Sequence, residues 1–141
     1  MKNKSVPAFV LGLIGFLIDL GVIFYTYLIL TLIFALVSAN GGDNTIFFAL
    51  ISIQLIRLII CIVAFVFSFK NAKVAGILYL IAILTSIIIP LVILISGADA
   101  TVFVFFIPSV FYLLSTIFSF VANAKFKKAN AETKKETELS L

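Results

Sequence analysis

Residues 45–69, TIFFALISIQLIRLIICIVAFVFSF, and residues 74–96, VAGILYLIAILTSIIIPLVILIS, are two apolar runs separated only by Lys70-Asn71-Ala72-Lys73. Each run has the roughly 20 apolar residues that a helix needs to cross the hydrocarbon core of a bilayer. Neither alternates apolar and polar residues with a period of two, so they read as helices rather than barrel strands, the only other way to satisfy a backbone in lipid. A joint this short makes the two helices antiparallel neighbours.

The same pattern extends in both directions. Residues 7–38 form a first apolar run and residues 101–124 a fourth. Turn chemistry separates them. Ser5 before Pro7 reads as an N-cap with proline in the first turn. Asn40-Gly41-Gly42-Asp43-Asn44 is a turn cluster in which Asp43 or Asn44 can cap the second helix. Gly97 can end the third helix and Asp99 can cap the fourth. The expected fold is all-α: an antiparallel bundle of four transmembrane helices over residues 1–124, followed by a charged tail at 125–141.

Composition agrees. Of the 141 residues, 64% are hydrophobic and 11% charged, where a soluble domain carries about a quarter charged residues. The first run is far longer than the roughly 7–15-residue apolar region of a signal peptide and contains Asp19, so it reads as a spanning helix that tilts or projects outward.

The lysines set orientation. Lys2 and Lys4 precede the first helix, Lys70 and Lys73 flank the second joint, and Lys125, Lys127, Lys128, Lys134 and Lys135 follow the fourth helix. The other two joints carry only Asp43 and Asp99 as charges. Four crossings place every lysine on one side, so both termini are expected in the cytoplasm. The tail reads as a solvated, partly disordered or frayed helical extension. Lys125, Lys127 and Lys128 are placed to meet anionic lipid headgroups, at about 1 kcal/mol each.

Two full charges fall inside the apolar runs, Asp19 and Arg57. Each costs about 2.5–3.5 kcal/mol on insertion scales when alone at a helix centre. Asp19 lies about 12 residues from Pro7 and Arg57 about 13 from Lys70, so both stand about 18–20 Å from the cytoplasmic ends. An ion pair between the first two helices is expected, with Gln54 completing an intramembrane polar cluster. Gly12, Gly15 and Thr26 share a face with Asp19, and Cys61, Ala64 and Ser68 share one with Arg57. Gly12, Gly15, Cys61, Ala64 and Ser68 are expected to let helix backbones approach closely. Gly76, Tyr79, Ala82 and Ser86 lie near one face of the third helix. Ser109, Tyr112, Ser115, Thr116, Ser119 and Asn123 form a polar seam on the fourth, whose hydroxyls commonly bond their own preceding carbonyls. Pro90 and Pro108 are expected to kink the third and fourth helices at matching depths.

The chain has no His, no Trp and a single Cys, Cys61. An intramolecular disulfide is impossible, and Cys/His metal or haem sites are excluded. No phosphate-binding loop, dinucleotide glycine motif or Ser/His or Cys/His pair occurs. No enzyme, cofactor, metal or nucleic-acid partner is expected; the net charge of +4 follows from the membrane-flanking lysines.

Three stretches carry a family resemblance: Phe9-Val10-Leu11-Gly12-Leu13-Ile14-Gly15, Asn71-Ala72-Lys73-Val74-Ala75-Gly76-Ile77-Leu78-Tyr79-Leu80-Ile81-Ala82, and Ile107-Pro108-Ser109-Val110-Phe111-Tyr112-Leu113-Leu114. Together they resemble a family of small four-helix membrane proteins of low-GC Gram-positive bacteria, catalogued as a domain of unknown function. The chain departs from that pattern in having no glycines in its first helix beyond Gly12, Gly15 and Gly21. The resemblance assigns nothing to Asp19 or Arg57. The resemblance implies a bacterial plasma membrane and carries over no activity.

The leading expectation is a non-enzymatic membrane protein, an accessory, regulatory or immunity-type subunit acting through helix–helix contacts. Its partners are the bilayer and another membrane protein or a second copy of itself. A small transporter or channel built on Asp19 and Arg57, or a phage-type lysis pore, is the alternative.

Overall fold

The computed structural model describes residues 2–43, 45–95, 103–104 and 106–141. They form four helices: α1 (Val6–Ala39), α2 (Thr45–Lys70), α3 (Ala72–Ile95) and α4 (Ile107–Ser140). No strand occurs among the described residues.

The helix ends are set by local hydrogen bonds. Ser5 caps α1, its hydroxyl accepting from the Ala8 N–H at 3.3 Å, with Pro7 in the first turn. At the far end, Gly41 sits at φ +72°, a left-handed conformation suited to glycine. The Gly41 N–H then bonds the Ser38 carbonyl at 3.2 Å and the Gly42 N–H bonds the Val37 carbonyl at 2.9 Å. This pair of bonds satisfies carbonyls that the helix end leaves open. Asp43 supplies the cap of α2, accepting from the Thr45 N–H at 2.9 Å and the Thr45 hydroxyl at 2.6 Å; Asn44 lies outside the described residues.

Asn71 begins α3, its side-chain oxygen accepting from the Lys73 N–H at 3.1 Å. That cap starts the helix at Ala72 rather than at Val74. Gly97 and Asp99, expected to stop α3 and cap the fourth helix, lie outside the described residues, as do Thr101 and Val102.

Two expectations are corrected at α4. Its regular α-helix begins at Ile107, not at residue 101, so Pro108 occupies the first turn. A first-turn proline has no intrahelical hydrogen bond to remove, so Pro108 starts a helix instead of kinking one. Pro90 does lie inside α3. The tail takes the helical one of its two expected forms: α4 continues as one helix to Ser140. Ala, Lys and Glu in this stretch are strong helix formers, and Lys134 and Glu138 pair one turn apart at 4.0 Å.

The helices pack in a ring, α1 against α2, α2 against α3, α3 against α4 and α4 against α1. The α1–α2 seam is the sparsest. Among the described side chains, the last buried one of α1 is Thr26 and the first of α2 is Gln54. Beyond these points the two helices extend past the shared core, meeting through a Phe34–Phe48 edge-to-face ring contact with centroids 6.1 Å apart.

The opposite end is closed by the residues before α1. The Ser5 N–H bonds the Ser68 carbonyl at 2.8 Å, and the Ala72 N–H bonds the Asn3 carbonyl at 3.0 Å. The Asn3 amide donates to Asn71 at 3.3 Å and to Asn123 at 3.2 Å. The Ser5 hydroxyl donates to the Phe118 carbonyl at 3.3 Å. One short strap thus answers an open carbonyl of α2 and an open N–H of α3, and it places the start of α1, the α2–α3 joint and residues 118–123 at the same end of the bundle.

Val6–Ala39, Phe48–Lys70 and Ile107–Ser140 are each long and apolar enough to cross a membrane. The apolar segment Ala72–Ile88 of α3 is shorter.

Candidate functional site

The centre of the bundle is polar. Arg57 on α2 donates from Nη2 to Oδ1 of Asp19 on α1 at 2.5 Å. The second carboxylate oxygen accepts from the Tyr112 hydroxyl of α4 at 3.0 Å. The side chains of Asp19 and Arg57 are 1% and 3% exposed. The expected ion pair is therefore present, and both carboxylate oxygens have donors. Equal depth explains the meeting. Asp19 lies 13 residues into α1 from Val6, and Arg57 lies 13 residues before the end of α2 at Lys70, each about 20 Å along its helix.

α3 joins this centre through an aromatic ring. Tyr79 stacks on Tyr112 with centroids 6.4 Å apart and planes inclined by 19°. Its hydroxyl and that of Ser68 on α2 share a hydrogen bond of 3.2 Å. Ser68 also donates back to the Ala64 carbonyl at 3.0 Å. Cys61 and Ala64 are fully buried in the same cluster as both tyrosines.

The small-residue stripe works differently from the expectation. Gly12 faces the Tyr79 ring and Gly15 faces Phe111 and Tyr112. Both glycines of α1 make room for bulky side chains of α3 and α4, and the α1–α2 seam remains sparse. A small residue defines the size of its neighbour's space, not which helix fills it.

On the α4 seam, Ser115 and Thr116 bond the carbonyls of Phe111 and Tyr112, four residues back, at 2.9 Å each. Ser86 on α3 bonds the Ile83 carbonyl at 2.8 Å and also meets Ser109 of α4 at 2.5 Å. Ser109 thus crosses to a neighbouring helix, whereas Ser115 and Thr116 satisfy their own. Pro90 and Pro108 are buried near this level. Lys125, Lys127 and Lys128 are exposed on α4.

Gln54 is separate from the ion pair. It is 6% exposed, and its Oε1 has no hydrogen-bond partner. It lines a cavity of about 460 Å³ between α1 and α2, with Leu20, Ile23, Phe24, Thr26, Tyr27, Ile51 and Leu55. Neither Asp19 nor Arg57 lines it. Among the described residues, no three His, Cys, Asp or Glu side chains gather to hold a metal ion.

Sequence spacing identified Asp19, Arg57 and Gln54 but not the third and fourth helices' share of the centre. Tyr112 as a donor to Asp19 and Tyr79 as a bridge to Ser68 depend on the register of α3 and α4. The strap residue Asn3 carried no signal beyond its polarity. No family model, no curated protein and no solved structure matches the chain.

Proposed function

We propose that the chain is a four-pass protein of the bacterial plasma membrane with both termini in the cytoplasm. It works without chemistry of its own, as an accessory, regulatory or immunity-type subunit that binds another membrane protein through helix contacts. The observation that carries this reading is the outer part of α1. Beyond Thr26, the described side chains include no buried residue, and Leu28, Leu32 and Leu36 are exposed. α1 has 34 residues, about 51 Å, against a hydrocarbon core of about 30 Å. An apolar helix part that its own bundle leaves uncovered is free to pack against another helix in lipid.

The centre of the bundle favours this reading over a conduit. Asp19 and Arg57 are spent on each other and on Tyr112, and the neighbouring cavity stops short of both. At the cytoplasmic end, Lys125, Lys127 and Lys128 meet anionic headgroups. α3 counts as a span on its full 24 residues, about 36 Å.

Two experiments test the proposal. In a gentle detergent, the tagged protein is expected to retain a stoichiometric membrane partner. Leu28→Ala and Leu32→Ala together should release that partner without lowering the melting temperature. Recovery of the protein alone, or a partner indifferent to both substitutions, rejects the contact role. For topology, single cysteines at Asn40 and Gly97 in a Cys61→Ser background should react with an impermeant thiol reagent in intact cells. Those at Lys70 and Lys134 should not, and labelling at Lys70 overturns the four-pass arrangement.

A further inference from the structure

The strap before α1 is fastened by polar groups. The Lys4 N–H bonds the Lys2 carbonyl at 2.9 Å, a three-residue turn with Asn3 at its tip. Lys2 and Lys4 are exposed, whereas Asn3 and Ser5 bond the helix ends through main chain and side chain. Hydrogen bonds at a water-facing end are cheap to exchange, because water replaces each one. The fastened strap also leaves Asn3 Oδ1 buried without a donor, a group that unfastening would hydrate.

Beneath the strap runs a column of buried polar groups. Measured from Asn123 along α4, Ser119 stands about 6 Å into the bundle, Thr116 about 10 Å and Tyr112 about 16 Å, and the Asp19–Arg57 pair lies at about 20 Å. All are buried. Contacts join the strap to the pair without a break. The Ser5 N–H bonds the Ser68 carbonyl, the Ser68 hydroxyl bonds that of Tyr79, Tyr79 stacks on Tyr112, and Tyr112 donates to Asp19. Unpartnered buried atoms recur at its mouth, along it and at its inner end: Asn3 Oδ1, Ser119 Oγ and Arg57 Nε. An apolar interior stays dry when opened, whereas one with open hydrogen-bonding groups takes up water.

We propose that the strap is a detachable cap that controls the entry of water from its side of the membrane to the Asp19–Arg57 pair. The access is one-sided and makes no path across the bundle. Water at the pair would weaken its attraction by raising the local dielectric. Unfastening would therefore loosen the α1–α2 seam, the sparsest of the ring. The inference rests on the membrane reading but not on the accessory role, and cysteine labelling tests the membrane reading separately.

The chain carries its own reporter. It has one Cys, no His and one Met, and Cys61 is fully buried in the cluster that holds both tyrosines, about 14 Å from the Lys70 end of α2. Silver ion binds thiolates, needs only a water-sized path and does not enter hydrocarbon. The test adds silver nitrate in chloride-free buffer to one face of sealed membrane vesicles, then counts unreacted thiol after denaturation. In the native protein Cys61 should react slowly from either face. Asn3→Asp keeps the side-chain shape but replaces the donating amide with an acceptor that faces the Asn71 and Asn123 oxygens. It should speed the reaction about tenfold from the strap side, equivalent to about 1.4 kcal/mol, and leave the opposite side unchanged. Asn123→Asp gives the Asn3 amide a charged acceptor, a stronger bond, and should slow the reaction below the native rate. This second variant decides the matter where Asn3→Asp disturbs folding. Three results each overturn the cap: a native rate in a folded Asn3→Asp protein, equal acceleration from both faces, or an Asn123→Asp protein that reacts no more slowly than the native one.

Discussion

Asp19→Asn alone is expected to cost about 3–5 kcal/mol of stability, because it leaves the Arg57 guanidinium buried without its counter-charge. Arg57→Gln should cost a similar amount by stranding the carboxylate. The double variant should lose less than either single one, since it buries no charge at all. The pair's net worth over two neutral groups is small even though the cost of breaking it is large. Tyr112→Phe removes one donor to a charged oxygen and should cost about 1.5–3 kcal/mol, less than loss of either ion. Folded yield and thermal melting in detergent, measured over the full cycle, give the coupling directly. Additive losses in the double variant reject the pair as a unit and free both charges for a pore or substrate site.

Glycine-to-alanine substitutions on α1 should sort by what each new methyl group meets. At Gly15 a Cβ would stand 2.8 Å from the Cβ of Phe111, an atom fixed to the α4 backbone. That overlap is relieved only by moving a helix, and a cost of about 1–3 kcal/mol is expected. At Gly12 the methyl group would run into the Tyr79 ring. That ring is held by its stack on Tyr112 and its bond to Ser68, so a loss of the same order should follow. Gly21 has nothing within 4 Å of its built Cβ. There, alanine should be neutral or gain up to about 1 kcal/mol in helix propensity. Gly15→Ala and Gly12→Ala should melt below the native protein, and Gly21→Ala at or above it. Equal losses at all three sites would mean that the glycines act through backbone flexibility rather than space.

The ion pair was legible because two quantities decide it, the distance of each charge from a basic helix end and the rise of an α-helix. Neither depends on tertiary packing. The tyrosines show where that reasoning stops. Tyr25 and Tyr27 are 59% and 55% exposed, while Tyr79 and Tyr112 are fully buried, yet all four sit in apolar runs. In a membrane helix, the lipid-facing and inward-facing sides are both apolar, so hydropathy cannot separate them. The same ambiguity hid the partners of Gly12 and Gly15. The start of α4 was misplaced for another reason. Thr101 to Phe106 is as apolar as the helix that follows, and only the position of Pro108 in the first turn marks the boundary. In the tail, Lys, Glu and Ala are at once good helix formers and typical of disordered segments, so composition could not choose.

The strap before α1 constrains how the protein is made. Asn3 and Ser5 leave the ribosome well before two of their partners, Asn123 and the Phe118 carbonyl, which lie 120 and 113 residues later in the chain. During synthesis these residues have no complete site until the last helix has been inserted. Asp19 likewise meets Arg57 once α2 is in place, but waits for α4 to present Tyr112. Assembly therefore has a built-in final step, in which α4 completes the ring and the beginning of the chain fastens across it. An intermediate of the first three helices would carry a strap without its α4 partners and an Asp19 carboxylate bonded by Arg57 alone, and both deficits vanish when α4 packs.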